Sequence, residues 1–100
     1  MGAGVTQPLF DELIHPSTRL RLMATLAAVD WAEFAYLKEE LSLSDSALSK
    51  QLTTLEEAGY VASDRILDGG RHKLRARLTD VGRKAFAGHV AALQAIVSGG

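Results

Sequence analysis

The polar side chains between Leu41 and Val61 have the types and the spacing to hydrogen-bond another polar surface. In the stretch LSLSDSALSKQLTTLEEAGYV, these groups belong to Ser44, Ser46, Ser49, Lys50, Gln51 and Thr53. They are short or flexible, and they leave room for a polar partner to approach closely. The same pattern is also typical of an ordinary solvated helix face, and this stretch alone does not separate the two interpretations.

The apolar residues of the same stretch predict the helix that positions this polar face. Leu48, Leu52 and Leu55 are spaced four and then three residues apart, so they share one side of a helix. Ser44 is a candidate N-cap, and Gly59 is a natural stop because glycine adopts the left-handed conformation without strain. The spacing therefore predicts a helix over about 44–58 with a leucine side and a polar front.

Basic residues are concentrated in the last third of the chain, although the whole sequence has a net charge of only −1. Residues 71–100 contain six Lys and Arg against one Asp, whereas residues 1–70 contain five against eleven acidic residues. A local concentration of positive charge can bind a polyanion even on a nearly neutral protein. The alternative is a charged hairpin that is simply solvated.

A β-hairpin is predicted directly after the helix over 44–58. Tyr60–Leu67 suits a strand, and residues 68–70 (Asp-Gly-Gly) suit a turn because glycine supplies the positive φ that a hairpin needs. Lys73–Leu78 alternates strictly between basic and apolar residues, which indicates a half-buried strand with a basic outer face. Arg77 lies nearer the strand end, where we expect it to pair with Asp64 or a neighbour.

Shorter helices are predicted earlier in the chain. Leu9–Ile14 forms a short helix with apolar side chains facing inward, and Ser17 caps a second helix that is central to the core. Trp31–Ala32 forms a very short strand, and a third helix covers about Glu33–Leu41. Only about two residues separate that helix from the one over 44–58. Two short amphipathic helices joined in this way predict a helix-turn-helix.

A long C-terminal helix has more apolar surface than one core-facing stripe needs. Thr79 is its predicted cap, and it runs from about Asp80 to Val97. We expect a core-facing stripe at Val81, Ala85, Val90, Leu93 and Val97. The remaining apolar surface predicts a homodimer whose interface includes Phe86, His89, Ala92, Leu93 and Ile96. The alternative is a monomer in which the N-terminal helix of the same chain covers this face.

Length and composition indicate a single domain spanning residues 1–100, ordered over about 9–97. Hydrophobic residues make up 47% of the chain and charged residues 23%, as in ordinary globular proteins. The absence of cysteine excludes disulfides, thiolate zinc sites and cysteine nucleophiles, and the three histidines are far apart in sequence. We therefore predict neither a metal nor another cofactor.

The sequence has no features of a membrane protein or of an enzyme. No segment approaches the ~20 apolar residues of a membrane span, and the N-terminus lacks a signal-peptide pattern, so we expect a cytoplasmic protein without a membrane partner. Acidic residues occur as adjacent pairs, such as Glu56 and Glu57, which diverge by ~100° around a helix and do not form a catalytic dyad. No nucleophile-elbow or phosphate-loop spacing occurs.

In the order of its predicted elements and in three sequence motifs, the chain resembles winged helix-turn-helix transcription regulators. Stretches similar to LSLSDSALSKQLTTLEEAGYV occur in the MarR and ArsR families, followed by a Gly-Arg wing and an LTxxGR motif, here Leu78–Arg83. The opening LIHPSTRLRLMATL is similar to small stand-alone winged-helix DNA-binding proteins. The resemblance covers about residues 9–97. It implies a mainly α fold with a small β-hairpin: a three-helix core, a wing and a C-terminal helix.

The resemblance implies sequence-specific binding of double-stranded DNA by a dimer that regulates transcription. The helix over 44–58 would enter the major groove, with Ser44 on a phosphate. Its base-reading candidates are Ser46, Ser49, Lys50 and Thr53, with Gln51 as a further candidate. The wing over about 65–77 would lie on backbone or in the minor groove, through Arg71, His72, Lys73 and Arg75. No small-molecule effector is identified.

The main alternative is a winged helix that binds protein instead of DNA. Acidic residues beside the polar front, namely Asp45, Glu56 and Glu57, favour this alternative, whereas the basic wing favours DNA. The chain also departs from metal-sensing ArsR proteins, since it has no cysteine, and from longer MarR proteins, since it is too short for their extended dimerisation helices.

Overall fold

A computed structural model describes residues 6–99, which form four helices and a three-stranded antiparallel sheet. In chain order the elements are α1 (Ser17–Ala27), β1 (Ala32–Glu33), α2 (Phe34–Leu41), α3 (Asp45–Glu57), β2 (Val61–Asp68), β3 (Arg71–Leu78) and α4 (Asp80–Val97). This confirms the predicted fold class, a winged helix with a mainly α core and a β-hairpin wing.

Helix α3 has the predicted ends and the predicted buried side. The Ser44 hydroxyl accepts a hydrogen bond from the Ala47 amide at 3.1 Å, and Gly59 adopts a φ of +81° just beyond the helix. Its buried side chains are Leu48, Leu52 and Leu55. They join residues of α1 and α2 in one hydrophobic core, which includes Leu22, Met23, Leu26, Leu37 and Leu41. The polar front of α3 therefore faces away from the core.

A tight turn joins α2 to α3. The C-cap of α2, Ser42, adopts a left-handed φ of 55°, and the Leu43 amide donates to the Lys38 carbonyl at 3.0 Å. The Lys38 ammonium also contacts the Asp45 carboxylate across the turn at 2.6 Å. These contacts hold the helix-turn-helix in one arrangement.

The sheet has the strand order β1-β3-β2. Gly69 and Gly70 both have positive φ in the two-residue turn, so Asp68 lies opposite Arg71, and the register continues to Val61 opposite Leu78. The short strand predicted at Trp31–Ala32 is β1, one residue later, and it pairs with β3. The hairpin of β2 and β3 is called the wing below.

The N-terminal segment is not the helix that Leu9–Ile14 was predicted to form. It is an irregular segment with a turn at residues 12–14. The Asp11 carboxylate accepts hydrogen bonds from the Leu13 and Ile14 amides at 2.9 and 3.2 Å. Such local side-chain bonds compete with helix formation. Ile14 is fully buried, but Leu9, predicted to face inward, is 71% exposed.

Helix α1 starts differently from the prediction. Its N-cap is Pro16, without a side-chain hydrogen bond, and Ser17 is the first helical residue rather than the cap. Its buried face consists of Leu22, Met23 and Leu26, and Ala24, predicted to lie on the apolar stripe, is exposed. One wide face of α1 therefore enters the core.

Helix α4 has the predicted span and cap but not the predicted orientation. The Thr79 hydroxyl accepts from the Gly82 amide at 3.0 Å. Val81 and Val97, expected in the core, are 59% and 86% exposed. Conversely, His89 and Ala92, expected to be left for a partner, are buried within the chain itself. Phe86 is also partly buried against the core.

The N-terminal segment covers this face of α4, as the monomeric alternative required. The Leu9 amide donates to the Gly88 carbonyl at 2.9 Å, and the Asp11 amide donates to His89 Nδ1 at 2.9 Å. Of the predicted dimer-interface residues, Ile96 is largely exposed and Leu93 is half-buried. Across residues 6–99, no helix is both long and apolar enough to span a bilayer.

Candidate nucleic-acid interface

The outward face of α3 presents the four side chains that the sequence predicts as base-reading candidates. Ser46, Ser49, Lys50 and Thr53 are all exposed. They are held by the buried leucines on the opposite side of the same helix, so their direction is fixed by core packing. Within the described residues, the Lys50 ammonium has no ion-pair partner, which leaves its charge available to a ligand.

The predicted contact Gln51 is engaged inside the protein. Its side-chain oxygen accepts a hydrogen bond from Arg19 Nη1 at 3.0 Å, and Arg19 Nε donates to the Leu13 carbonyl at 2.6 Å. Arg19 therefore ties α3 to α1 and to the N-terminal segment. Gln51 helps to position α3, and using its amide on a ligand would require the bond to Arg19 to break.

Two of the predicted wing contacts are ion-paired within the sheet. Arg75 Nε donates to the Asp64 carboxylate at 3.0 Å, and its guanidinium lies 4.8 Å from the centre of the Trp31 ring. Lys73 Nζ lies 3.2 Å from the Asp68 carboxylate and 3.8 Å from that of Glu33. The expectation that Arg77 pairs with Asp64 is wrong, because the register places Arg75 directly opposite Asp64.

The other basic side chains of the wing are exposed near its tip. Arg71 and His72 have no ion-pair partner in the part of the chain that the structure describes, and the same holds for Arg65 of β2. All three line a cavity of about 360 Å³ between the wing and the start of α2. Lys73 and Glu33 line it as well.

Sequence reasoning did not single out Arg65. The signal was present in the turn, because a two-residue Gly-Gly connection places Arg65 opposite Leu74. Residues opposite each other in a pair share one face of the sheet, so Arg65 lies on the same face as Leu74 and His72. The alternation of β3 predicted an outer basic face made of Lys73, Arg75 and Arg77, and it gave no information about Arg65 in β2.

A polar cluster behind the interface anchors the end of α3. The Tyr60 hydroxyl donates to the Asp11 carboxylate at 2.5 Å, and His89 Nε2 lies 3.4 Å from His15 Nδ1. Phe10 packs against both imidazole rings, at centroid distances of 4.7 and 4.8 Å. Because Tyr60 follows α3 directly, this cluster connects the N-terminal segment, α4 and the exit of α3.

The cluster changes the titration of two of its members. The hydrogen bond to the Asp11 carboxylate, together with burial, raises the pKa of Tyr60 to about 12. Burial lowers the pKa of His89 below its ordinary value, and the neighbouring His15 lowers it further, against the opposing charges of Asp11 and Glu12. His89 is therefore neutral near pH 7, with Nδ1 accepting the bond from the Asp11 amide.

The chemistry offered by this surface is hydrogen bonding and positive charge. Among residues 6–99 there is no group of three His, Cys, Asp or Glu side chains arranged to hold a metal ion. The groups that converge are hydroxyls and an ammonium on α3, and guanidinium and imidazole groups on the wing. Such a set can bind base edges and phosphates.

Solved structures resemble this fold over most of its length. A transcriptional regulator homologue from Pyrococcus horikoshii superimposes with a TM-score of 0.84 at 22% identity, covering 89% of this chain and 88% of that one. A putative transcriptional regulator from Thermoplasma acidophilum superimposes with a TM-score of 0.70 at 20% identity, covering 88% and 90%. The structural neighbours are MarR/ArsR-like transcriptional regulators, and at these identities the likeness shows the fold.

Comparison of the sequence with known proteins identifies the family of this chain. An uncharacterized protein from Methanocaldococcus jannaschii is 34% identical over 79 residues, which are 79% of this chain and 86% of that protein. The family model described as winged helix DNA-binding domain matches residues 18–97. This match spans everything from α1 to the end of α4. The chain therefore belongs to the winged helix DNA-binding domain family.

Proposed function

We propose that this protein binds double-stranded DNA sequence-specifically as a transcriptional regulator, with α3 in the major groove. The observation that carries the proposal is the exposed row of Ser46, Ser49, Lys50 and Thr53, backed by a leucine face that fixes its direction. An α-helix fits the major groove, where each base pair presents a distinct pattern of donors and acceptors. At the helix start, the Ser44 hydroxyl would contact a phosphate; it lies 3.4 Å from the Ser46 hydroxyl.

The wing would add contacts to the DNA backbone or the minor groove. Arg65, Arg71 and His72 supply groups that are not committed to ion pairs among the described residues, and they surround one cavity. Lys73 and Arg75 would contribute mainly through their charge, since each already contacts a carboxylate. Phosphate contacts of this kind position a protein on the duplex without reading its sequence.

One of the three acidic residues beside the front of α3 opposes DNA binding less than the sequence suggests. The Asp45 carboxylate is paired with Lys38 at 2.6 Å, which offsets its negative charge at the start of α3. Glu56 is half-buried and lines the same cleft as Ser49 and Thr53, and Glu57 is exposed. We do not propose protein binding as a second function. The following test would reveal it if the protein does not bind duplex DNA.

The test is duplex binding by the native chain and by Lys50→Ala. Electrophoretic mobility or anisotropy at low salt should detect binding to random duplex, and selection from a random pool should yield a preferred sequence. Lys50→Ala should weaken binding to that sequence by ~1–3 kcal/mol and relax the preference at one position, if Lys50 reads a base. The measurement is the dissociation constant on matched and single-base variant duplexes.

Lys84→Ala is the matched control, because Lys84 is an exposed lysine on α4. It removes the same charge and should leave the sequence preference unchanged. Circular dichroism should show that both variants keep the native fold. Absence of duplex binding by the native chain at low salt would contradict the proposal and favour a protein-binding role.

We also propose that two copies act together through the exposed end of α4. Ile96 and Val97 are 63% and 86% exposed. Leaving two adjacent apolar side chains in water is unfavourable, and a partner that covers them would relieve this. Leu93 lies one turn earlier and is half-buried. A two-fold pair would present two copies of α3 to half-sites ~34–36 Å apart, one helical turn of DNA.

A further inference from the structure

The N-terminal segment is attached to α3 at two points. Near the middle of the helix, Arg19 Nη1 donates to the Gln51 side chain at 3.0 Å, while Arg19 Nε donates to the Leu13 carbonyl at 2.6 Å. Just beyond the end of the helix, the Tyr60 hydroxyl donates to the Asp11 carboxylate at 2.5 Å. Two points define the direction of a rod, so these bonds together fix the axis of α3 relative to the segment.

The segment is itself held by α4 and by the core. The Leu9 amide donates to the Gly88 carbonyl at 2.9 Å, and the Asp11 amide donates to His89 Nδ1 at 2.9 Å. The Ile14 side chain is fully buried in the core. The segment is therefore a fixed support for α3, and it connects the direction of α3 to the position of α4.

Apolar packing alone leaves the direction of α3 loosely defined. The hydrophobic effect is not directional, and packed helices cross at angles that scatter by about 15–20°. Helix α3 has 13 residues and is therefore ~20 Å long. A rotation of that size about its middle moves each end by ~3 Å. A hydrogen bond to a base edge is lost over a smaller displacement, because donor and acceptor must lie about 2.7–3.2 Å apart.

The attachment at Arg19 lies away from the front of α3 that would face the duplex. Arg19 and Gln51 are both half-buried, whereas Thr53 is exposed. Gln51 lies ~160° around the helix axis from Thr53, because each residue turns the helix by ~100°. Arg19 and Gln51 can therefore influence a bound duplex through the direction of α3, without contacting it.

We propose that Arg19 and Tyr60 are positioning residues for sequence recognition, through which the N-terminal segment sets how sharply α3 discriminates between base pairs. This inference rests on the proposed DNA-binding function. Loss of either attachment leaves only a fraction of the molecules in the reading orientation, and the apparent affinity for the preferred sequence falls with that fraction. Phosphate contacts carry no sequence information, so binding to random duplex changes little.

The first experiment measures the direction of α3 in the full chain without DNA, from residual dipolar couplings of backbone amides. Arg19→Met removes both donors and keeps a long unbranched side chain, and Tyr60→Phe removes only the hydroxyl. Each should change the couplings of α3 relative to those of α4 and the sheet. Arg21→Met is the matched control, because Arg21 is an exposed arginine of the same helix, and it should leave the couplings unchanged.

The second experiment measures dissociation constants on the preferred and on random duplex over a range of salt concentrations. Arg19→Met and Tyr60→Phe should each weaken binding to the preferred duplex about 3–10-fold, and binding to random duplex by less than about twofold. The salt dependence should stay the same, because no phosphate contact is lost. Arg21→Met should keep the native ratio of the two affinities.

Two further kinds of variant separate positioning from stability. Gln51→Glu retains an acceptor for Arg19 and should keep the native ratio, whereas Gln51→Leu should lower it as Arg19→Met does. Leu26→Val shortens a buried side chain of α1 and should lower the melting temperature. It should leave the couplings and the affinity ratio unchanged. All binding is measured at a temperature at which circular dichroism shows every variant to be folded.

Several results would overturn the proposal. These are unchanged couplings in Arg19→Met and Tyr60→Phe, an unchanged affinity ratio despite changed couplings, or a ratio that falls equally in Leu26→Val. Failure of the DNA-binding function has a different signature. In that case the native chain binds no duplex, while the couplings of α3 still change in Arg19→Met and not in Arg21→Met.

Discussion

His89 is a neutral imidazole enclosed by groups that suit the neutral form. Its Nδ1 accepts a hydrogen bond from the Asp11 amide, and its Nε2 faces His15 at 3.4 Å. Protonation of Nδ1 would remove that acceptor. It would also give His89 a positive charge, which a charged His15 would repel. The carboxylates of Asp11 and Glu12 raise the pKa of His89, but by less than burial and His15 lower it.

The stability of the fold should therefore depend on pH between about 5 and 7.5, around the ordinary His pKa. The pKa of His89 is lower in the folded chain than its ordinary value, so the unfolded chain binds more protons as the pH falls below about 6.5. The free energy of unfolding should be at its full value above about pH 7.5 and should fall as the pH decreases through about 6.5. Melting temperatures across this range measure the effect.

The control for this pH dependence is a second histidine. His89→Gln removes the titrating group and retains an acceptor, so its melting temperature should fall less steeply with acid. His72→Gln, at an exposed wing position, should keep the native pH dependence. If His89→Gln and His72→Gln respond to acid alike, His89 is not the group that carries the effect.

Neighbouring residues of α3 should respond in opposite ways to truncation. Leu52 is only 4% exposed and packs in the core, so Leu52→Ala should lower the free energy of unfolding by ~2–5 kcal/mol through a cavity. Thr53→Ala should change stability little, because that side chain is exposed, and should weaken duplex binding. Urea unfolding followed by anisotropy distinguishes the two. A destabilising Thr53→Ala beside a harmless Leu52→Ala would mean that the orientation of α3 is wrong.

At the scale of elements, the wing supplies charge on a rigid hairpin rather than on a loop. Its two glycines allow a turn of only two residues, and the register holds from Asp68 opposite Arg71 to Val61 opposite Leu78. The basic residues near the tip are therefore held in one register along the hairpin. This rigidity favours phosphate contacts that position the duplex.

Arg71→Ala should weaken binding to all duplexes about equally. The slope of log affinity against log salt should fall by roughly one unit for the lost phosphate contact. Arg71→Lys is the matched control, since it keeps the charge and should restore most of the slope even if it loses a bidentate geometry. Unchanged affinity and slope in Arg71→Ala would remove the wing tip from the interface.

Local signals explain which elements the sequence predicted well. The bounds of α3 and α4 follow from the caps at Ser44 and Thr79 and from helical spacing, and the structure has them within a residue. The hairpin follows from its Gly-Gly turn. The pairing of Asp64 with Arg75 also followed from that turn, and was missed because the prediction considered charge without register.

Long-range contacts explain the rest. The N-terminal segment was predicted as a helix because its apolar residues have helical spacing. Local bonds from the Leu13 and Ile14 amides to the Asp11 carboxylate compete with that helix. The bonds that Asp11 makes with Tyr60 and His89 then dock the segment on the rest of the chain. Those partners are distant in sequence and leave no local signal. Because this segment covers one face of α4, the same contacts also determine which side of α4 is exposed. The spacing of apolar residues in α4 alone does not predict that side.

At the scale of the whole molecule, the exposed end of α4 is where we expect a second copy. Ile96→Glu should place a charge in the dimer interface and shift the native chain from dimer to monomer in sedimentation equilibrium. Val81→Glu is the matched control, because Val81 is 59% exposed at the opposite end of the same helix. It should leave the dimer intact. A monomeric native chain at micromolar concentration, or an Ile96→Glu variant that remains folded and dimeric, would contradict this arrangement.

The bond between Asp11 and His89 also sets an order of events in time. These residues are 78 positions apart, so the segment around Asp11 leaves the ribosome well before α4 and docks only after that helix has been made. At about 5–20 residues per second, the delay between them is roughly 4–16 s. During that interval the helix-turn-helix and the wing can assemble. Residues 7–15 cannot yet dock, because α4, the helix that they cover, has not been made. A segment that is synthesised before α4 thus completes the fold, and until α4 is made it is open to chaperones and proteases.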